Sequence, residues 1–175
     1  QIGWYAVYVN ANDIATSGAR PLWMLNTVLL PEGKTNLEVV HTIFRQLRKA
    51  CDELGILLVG GHTEVTWGLD RPIVVGVMIG EVPHDRLLTT AGARPGDRIL
   101  LVKGIPIEGT AIIAREKAEE LRRRGYPEGF LARAQGYLYD PGISVVQAAR
   151  LAAETSGVHA MHDPTEGGLA MGLYE

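Results

Sequence analysis

The sequence predicts an α/β (α+β) protein of two domains. Three observations carry this reading. Apolar runs of strand length at residues 22–30, 56–59 and 73–82 alternate with segments whose apolar residues recur at helical spacing. Turn signals such as Pro31-Glu32-Gly33 separate them. A Pro95-Gly96-Asp97 turn then marks a change of organisation, which divides the chain into domains at residues 1–90 and 91–175.

The elements follow in order. Residues 2–17 could open as a strand through Tyr5 and Val9, but Ile2, Ala6, Val9 and Asp13 recur at helical spacing and Gly18 is a suitable stop, which favours a helix with Asn10 and Asp13 on one face. Residues 22–30 suit a buried strand. Thr35 with Glu38 forms a capping box for a helix whose buried stripe is Val39, Val40, Ile43, Phe44, Leu47, Ala50 and Leu54, ended by Gly55. A short strand at 56–59 runs into Gly60-Gly61, and another covers 73–82 with Gly76 and Gly80 allowing close approach. In the second half a strand is expected at 98–103, a loop flanked by Gly104 and Gly109, and a helix over 110–124 closed by the Arg122-Arg123-Arg124 cluster. A connecting loop and short helix should fill 125–139. Ser144 with Gln147 caps a helix ended by Gly157, a strand follows at 158–161, and Thr165 caps a last helix.

Composition excludes several classes. Of 175 residues 46% are hydrophobic and 21% charged, enough apolar material for a packed core. A net charge of -3 gives no general attraction for nucleic acid or anionic membrane. No stretch resembles a signal peptide or a membrane span, so a cytoplasmic protein is expected. The single cysteine, Cys51, excludes an internal disulfide framework and a cysteine-based zinc site, and its place in a helix makes it a core residue. Gln1 in place of methionine, and an end at Tyr174-Glu175 just after a helix begins, read as an internal piece of a longer chain.

Three polar stretches stand out against apolar surroundings: Asn12-Asp13, the run from Gly60 to Glu64, and the run from His162 to Gly168. Carboxylates and imidazoles beside apolar runs cost free energy unless something binds them, so a shared polar ligand explains them better than folding does. Asp13 could bind a divalent cation, or serve only as a turn aspartate. Gly60 and Gly61 could let the backbone approach a ligand with His62, Thr63 and Glu64 beside it, or could make a tight turn. Asp163 with Gly167 and Gly168 suits a polar ligand at a positive helix end, or a plain cap. The His-Glu-x-x-His helix of zinc proteases, the P-loop, the Gly-x-Ser-x-Gly elbow and Gly-x-Gly-x-x-Gly are all absent.

Taken in order, these residues resemble the aminoimidazole ribonucleotide (AIR) synthetase superfamily, which also includes thiamine-monophosphate kinase, selenophosphate synthetase and the hydrogenase maturation factor that makes the cyanide ligand. The segment from Asn12-Asp13 through Gly18-Ala19-Arg20-Pro21 resembles the Asn-Asp helix followed by Gly-Ala-x-Pro. Gly60-Gly61-His62-Thr63 is similar to Gly-Gly-Asp/Glu-Thr, and His162-Asp163-Pro164-Thr165-Glu166-Gly167-Gly168 to the maturation factor's His-Asp-Pro-Thr-Arg-Gly-Gly. Gly104 to Arg115 resembles that factor's glycine loop and helix, with Glu108 where a histidine is usual.

The resemblance implies a PurM-like two-domain fold: an N-terminal mixed sheet or half-barrel that pairs into a homodimer, and a C-terminal α/β domain. It implies ATP and Mg2+ as cofactors, and an ATP-dependent enzyme that activates an amide- or carbamoyl-type oxygen of a small molecule or protein tail. Carried over residue by residue, it makes Asp163 and His62 catalytic and gives the metal to Asp13 and Glu64. Asn12, Asp13, Gly60, Gly61, Thr63, Gly104, Gly109, Gly167 and Gly168 would hold ATP and its phosphates. His62 stands where an acid is usual, and neutral imidazole is a poor ligand for Mg2+. Glu166 replaces an arginine. These departures support a rival reading, a non-catalytic nucleotide-binding or assembly protein of the same superfamily.

Overall fold

Apolar residues at three- and four-residue spacing fold residues 2–16 onto one buried face, and the resulting helix α1 (Ile2–Thr16) buries Trp4, Val7, Tyr8, Ala11, Asn12 and Ala15. These details come from a computed structural model that describes residues 1–175. Trp4 stacks on Tyr8 with ring centroids 4.0 Å apart, and the Tyr8 hydroxyl donates to Glu53 Oε2 at 2.7 Å, which ties α1 to the second helix. The strand alternative for this segment is thereby excluded.

Strand β1 (Arg20–Pro31) follows, then helix α2 (Leu37–Leu54). The cap of α2 is Asn36 and not the expected Thr35–Glu38 box: Asn36 Oδ1 accepts from the Val39 amide at 2.9 Å. Thr35 is committed elsewhere, its hydroxyl donating to the Pro31 carbonyl at 2.8 Å. The stripe is narrower than expected, with Ile43, Leu47, Ala50 and the core thiol Cys51 buried. Gly55, at φ 67°, ends the helix as foreseen.

Strand β2 (Leu57–Thr66) is longer than the expected 56–59 and passes straight through the double glycine. The register with β1 slips between Met24 and Leu25, where Val59 is the extra residue, so the double glycine follows a bulge inside the strand and is not a turn at its end. Gly61 allows a close approach to β1: its φ is 141°, and a Cβ there would lie 1.9 Å from the Asn26 carbonyl oxygen. Strand β3 (Ile73–Glu81) completes a three-stranded sheet of order β2-β1-β3, with β2 parallel and β3 antiparallel to the central β1.

One face of the sheet is covered. Met24, Val28 and Leu30 are buried on it, and Ile14 of α1 packs where Gly80 leaves room. The other face is open: Ile73, Val75, Val77 and Ile79 alternate along β3 at 38–55% exposure. No helix is long and apolar enough to cross a membrane.

The chain divides into two compact units, residues 1–93 with 146–163, and 94–145 with 164–175. In the first unit, the segment after β3 returns over the end of α1, where the Leu88 amide donates to the Ser17 carbonyl at 3.0 Å. Helix α6 (Val146–Ala153) belongs to this unit and is shorter than its expected 144–157. The strand expected at 158–161 forms no ladder, because no other segment pairs with it.

The second unit holds helices α3 (Ile107–Glu116), α4 (Ala118–Arg123), α5 (Glu128–Gly136) and α7 (Gly168–Tyr174). The single helix expected over 110–124 is broken at Lys117, whose φ of -112° leaves the helical region. It starts earlier than expected, so Gly109 lies inside α3 and not in a loop. The run 98–103 is not a strand: it finds no ladder partner, and Ile99, Leu100 and Leu101 stay exposed. An apolar run supplies only half of what a ladder needs. Thr165 does not cap α7; Gly167, at φ 68°, precedes it with no side-chain cap.

Candidate functional site

Helix α1 presents two asparagines and one aspartate in its last two turns. Asn10 Nδ2 donates to the Ala6 carbonyl at 2.7 Å and lies over Gly76 of β3, while Asn12 is buried at 7% exposure. Asp13 opens to solvent, yet the protein around its carboxyl raises its pKa above the ordinary value, and the nearby His162 imidazole works the other way.

The chain after α6 brings His162 and Asp163 to this place. The Asp163 carboxyl is pushed up to about 6, first by burial and then by the charge of Asp13, against a backbone hydrogen bond and His162, which lower it. Gly92 makes the approach possible, since a Cβ there would lie 2.2 Å from the His159 carbonyl oxygen. Two carboxyl groups and an imidazole therefore lie within electrostatic reach of one another in one unit, without packing into a metal cage. A carboxyl held up in this way can give or take a proton not far below neutral pH.

His62 and Glu64 are elsewhere. The register pairs His62 with Thr27 and Glu64 with Leu29, and Thr27 and Leu29 alternate with the buried Val28 and Leu30. Both side chains thus point to the open face, away from α1 and Asp13, with Nε2 and Oε2 3.5 Å apart. Thr63 alternates to the other side of β2, and Gly60 and Gly61 pair with Leu25 and Asn26 just after the bulge at Val59. The structure brings Asp13 to Asp163 but leaves Glu64 and His62 apart from them, and no three His, Cys, Asp or Glu side chains converge as a metal cage.

The remaining glycines belong to the second unit. Gly104 precedes α3 and Gly109 sits in its first turn, while Gly167 and Gly168 open α7 with φ of 68° and 62°. Met171 fills the place of a Cβ at Gly167, with its own Cβ 2.5 Å from that point.

Sequence reasoning missed two residues. Lys103, immediately before Gly104, has a φ of 65° and donates its ammonium to the carbonyls of Gly142 at 2.9 Å and Ser144 at 2.6 Å; burial pushes it below the usual lysine range. A lysine bordering a glycine loop was the available signal. Asn26 is 5% exposed with neither amide atom hydrogen-bonded, and its mark was an asparagine inside the apolar run 22–30.

Comparison with known proteins adds the family context. The AIR synthase related protein N-terminal domain matches residues 1–82, and the AIR synthase related protein C-terminal domain matches residues 94–175. Carbamoyl dehydratase HypE of Cupriavidus necator is 32% identical over 99% of this chain and 46% of its own length. A crystal structure of hydrogenase maturation protein HypE superposes with a TM-score of 0.75 at 27% identity, over 96% of this chain and 49% of that one. A crystal structure of HypE in complex with ATP gives a TM-score of 0.51 at 30% identity, over 54% of this chain and 28% of that one. The chain spans about half the length of the curated relatives it matches.

Proposed function

Since the chain belongs to the AIR synthase-related family, with the two-domain mixed α/β fold its sequence implies, we propose that it forms the ATP-handling part of an enzyme that activates an amide- or carbamoyl-type oxygen by phosphoryl transfer. The observation that carries this reading is the family match over both halves of the chain, and it is supported by the raised pKa of Asp163, to which the charge of Asp13 contributes.

The chemistry divides into two steps. The acceptor oxygen bonds to the γ-phosphorus, the bond to the β–γ bridging oxygen breaks, and ADP leaves with that electron pair. The carbon–oxygen bond then breaks, and inorganic phosphate leaves with its pair. The amide nitrogen gives up one proton in each step, and a nitrile results. Asp163, poised at about 6, suits the acceptance of such a proton near neutral pH. Asp13 lies where a carboxylate can hold Mg2+, which supplies neutralisation of phosphate charge when bound. Carboxylate oxygens suit that ion, and His62 does not. Asn12, Gly60, Gly61 and Thr63 are the first unit's nucleotide contacts in this reading, and Gly104, Gly109, Gly167 and Gly168 are carried over from the family pattern alone.

A homodimer is part of the proposal. The open sheet face carries a row of apolar side chains from β3, of the kind that a second copy would cover. Pairing through that face places His62 and Glu64 at the interface, which is how groups on opposite sides of one sheet could serve sites between subunits.

The rival reading, a nucleotide-binding assembly protein without turnover, draws on one observation: an imidazole occupies position 62 where the family pattern has an acid. Calorimetric titration with ATP, with and without Mg2+, together with a test for ADP release, separates the two. Metal-dependent binding that is lost in Asp13→Ala supports the site, and turnover supports the enzyme. Unchanged binding in Asp13→Ala sinks the assignment.

A further inference from the structure

Asn26 sits on the central strand β1, on the covered face of the sheet with Met24, Val28 and Leu30, and it is 5% exposed with neither amide atom hydrogen-bonded. A buried amide without partners costs free energy at both its donor and its acceptor.

Its surroundings narrow what can satisfy it. The register sets Gly61 of β2 and Gly76 of β3 opposite Asn26, so neither neighbouring strand offers a side chain at that level. Above Gly76 lies Asn10 of α1, whose Nδ2 is 2.7 Å from the point where a Cβ would stand. One hydrogen of that nitrogen goes to the Ala6 carbonyl, which leaves the other to spend. Residues directly opposite in an antiparallel pair have Cβ positions about 4.5–5.5 Å apart, so Asn10 Nδ2 lies within about 8 Å of the Asn26 Cβ. The Asn26 amide covers about 2.4 Å of this, the reach of two bonds. A gap of up to roughly 6 Å is left, and two hydrogen bonds in series through one oxygen atom span about 5.7 Å.

The chemistry selects the occupant. An N–H of Asn10 and both ends of the Asn26 amide call for a ligand that accepts and donates at once. A calcium- or magnesium-type cation needs about six oxygen ligands and finds one side-chain oxygen on Asn26. Both side chains are neutral, so an anion gains no opposing charge from them. Water meets the requirement.

We infer that Asn26 and Asn10 hold one internal water molecule between β1 and α1. It fastens the central strand to the part of the helix that carries Asp13, three residues on from Asn10. The site uses neither nucleotide nor metal, so it stands apart from the proposed reaction.

Oxygen-17 relaxation dispersion of the solvent counts slowly exchanging internal waters, and it is measured on the full chain, on Asn26→Leu and on Asn10→Leu, together with urea midpoints. Leucine keeps nearly the shape of asparagine and removes its polar atoms. The dispersion amplitude should fall by about one water molecule in each variant. The urea midpoint of Asn26→Leu should not exceed that of the wild type, because the amide was already satisfied. An unchanged amplitude in either folded variant overturns the inference. So does a raised midpoint in Asn26→Leu, the mark of an amide stranded without a ligand. If Asn26→Leu fails to fold by circular dichroism, Asn10→Leu decides by its amplitude alone, since it leaves the sheet unaltered.

Discussion

The Asp163 carboxyl is poised at about 6, and the charge of Asp13 is one reason. Burial is the larger cause, so the two residues are coupled without either depending wholly on the other.

The first prediction concerns pH. A carboxyl whose folded pKa exceeds its unfolded value favours the native state below the unfolded value near 3.9, and that contribution is lost as pH rises through about 6. The stability of the wild type relative to Asp163→Asn should therefore fall between about pH 4 and pH 7 and then level off. Urea midpoints of both proteins across that range check it; a difference independent of pH would refute it. In Asp13→Asn the Asp163 pKa should drop below about 6, as read by carboxyl carbon chemical shifts.

Gly61 bears the strongest steric demand of the β2 stretch. Gly61→Ala puts a methyl group 1.9 Å from the Asn26 carbonyl oxygen at a φ that L residues avoid, and should cost more than about 2 kcal/mol. Gly33→Ala, with a φ of 71° but nothing within 4 Å, should cost only about 1 kcal/mol. Equal denaturation midpoints for the two variants would contradict the close approach of Gly61 to Asn26.

Gly92 tests how the site is held together. Gly92→Ala brings a methyl group 2.2 Å from the His159 carbonyl oxygen and should displace the chain leading to His162 and Asp163. The Asp163 pKa should then move toward the ordinary aspartate value, while the far-UV spectrum stays that of a folded protein. No movement in a folded variant would mean that this contact does not position the carboxyl.

The cap of α2 separates two residues that look interchangeable. Asn36→Ala removes the acceptor of the Val39 amide and should destabilise by about 1 kcal/mol. Glu38→Ala should cost less, because no capping box involves Glu38 in the structure. Thermal melts of the two variants decide between the caps.

Much of the first unit was legible because helices declare themselves locally. The spacing of Ile43, Leu47 and Ala50 required a buried stripe wherever α2 packed, and Gly55 marked its end. The second unit was less legible for the opposite reason. Residues 98–103 and 158–161 read as strands by their apolar content, but a strand exists only when another segment supplies its hydrogen bonds.

The candidate site shows the same division. The residue types of all three polar stretches, and the family to which they belong, could be read from the chain itself, since composition and order are local facts. Which of them meet was decided by tertiary structure. A register slip at Met24 and Leu25 sets which face His62 and Glu64 occupy, and the return of the chain after α6 brings Asp163 within reach of the charge of Asp13. Neither event leaves a mark in the residues nearby, because register and chain return depend on partners distant in the sequence.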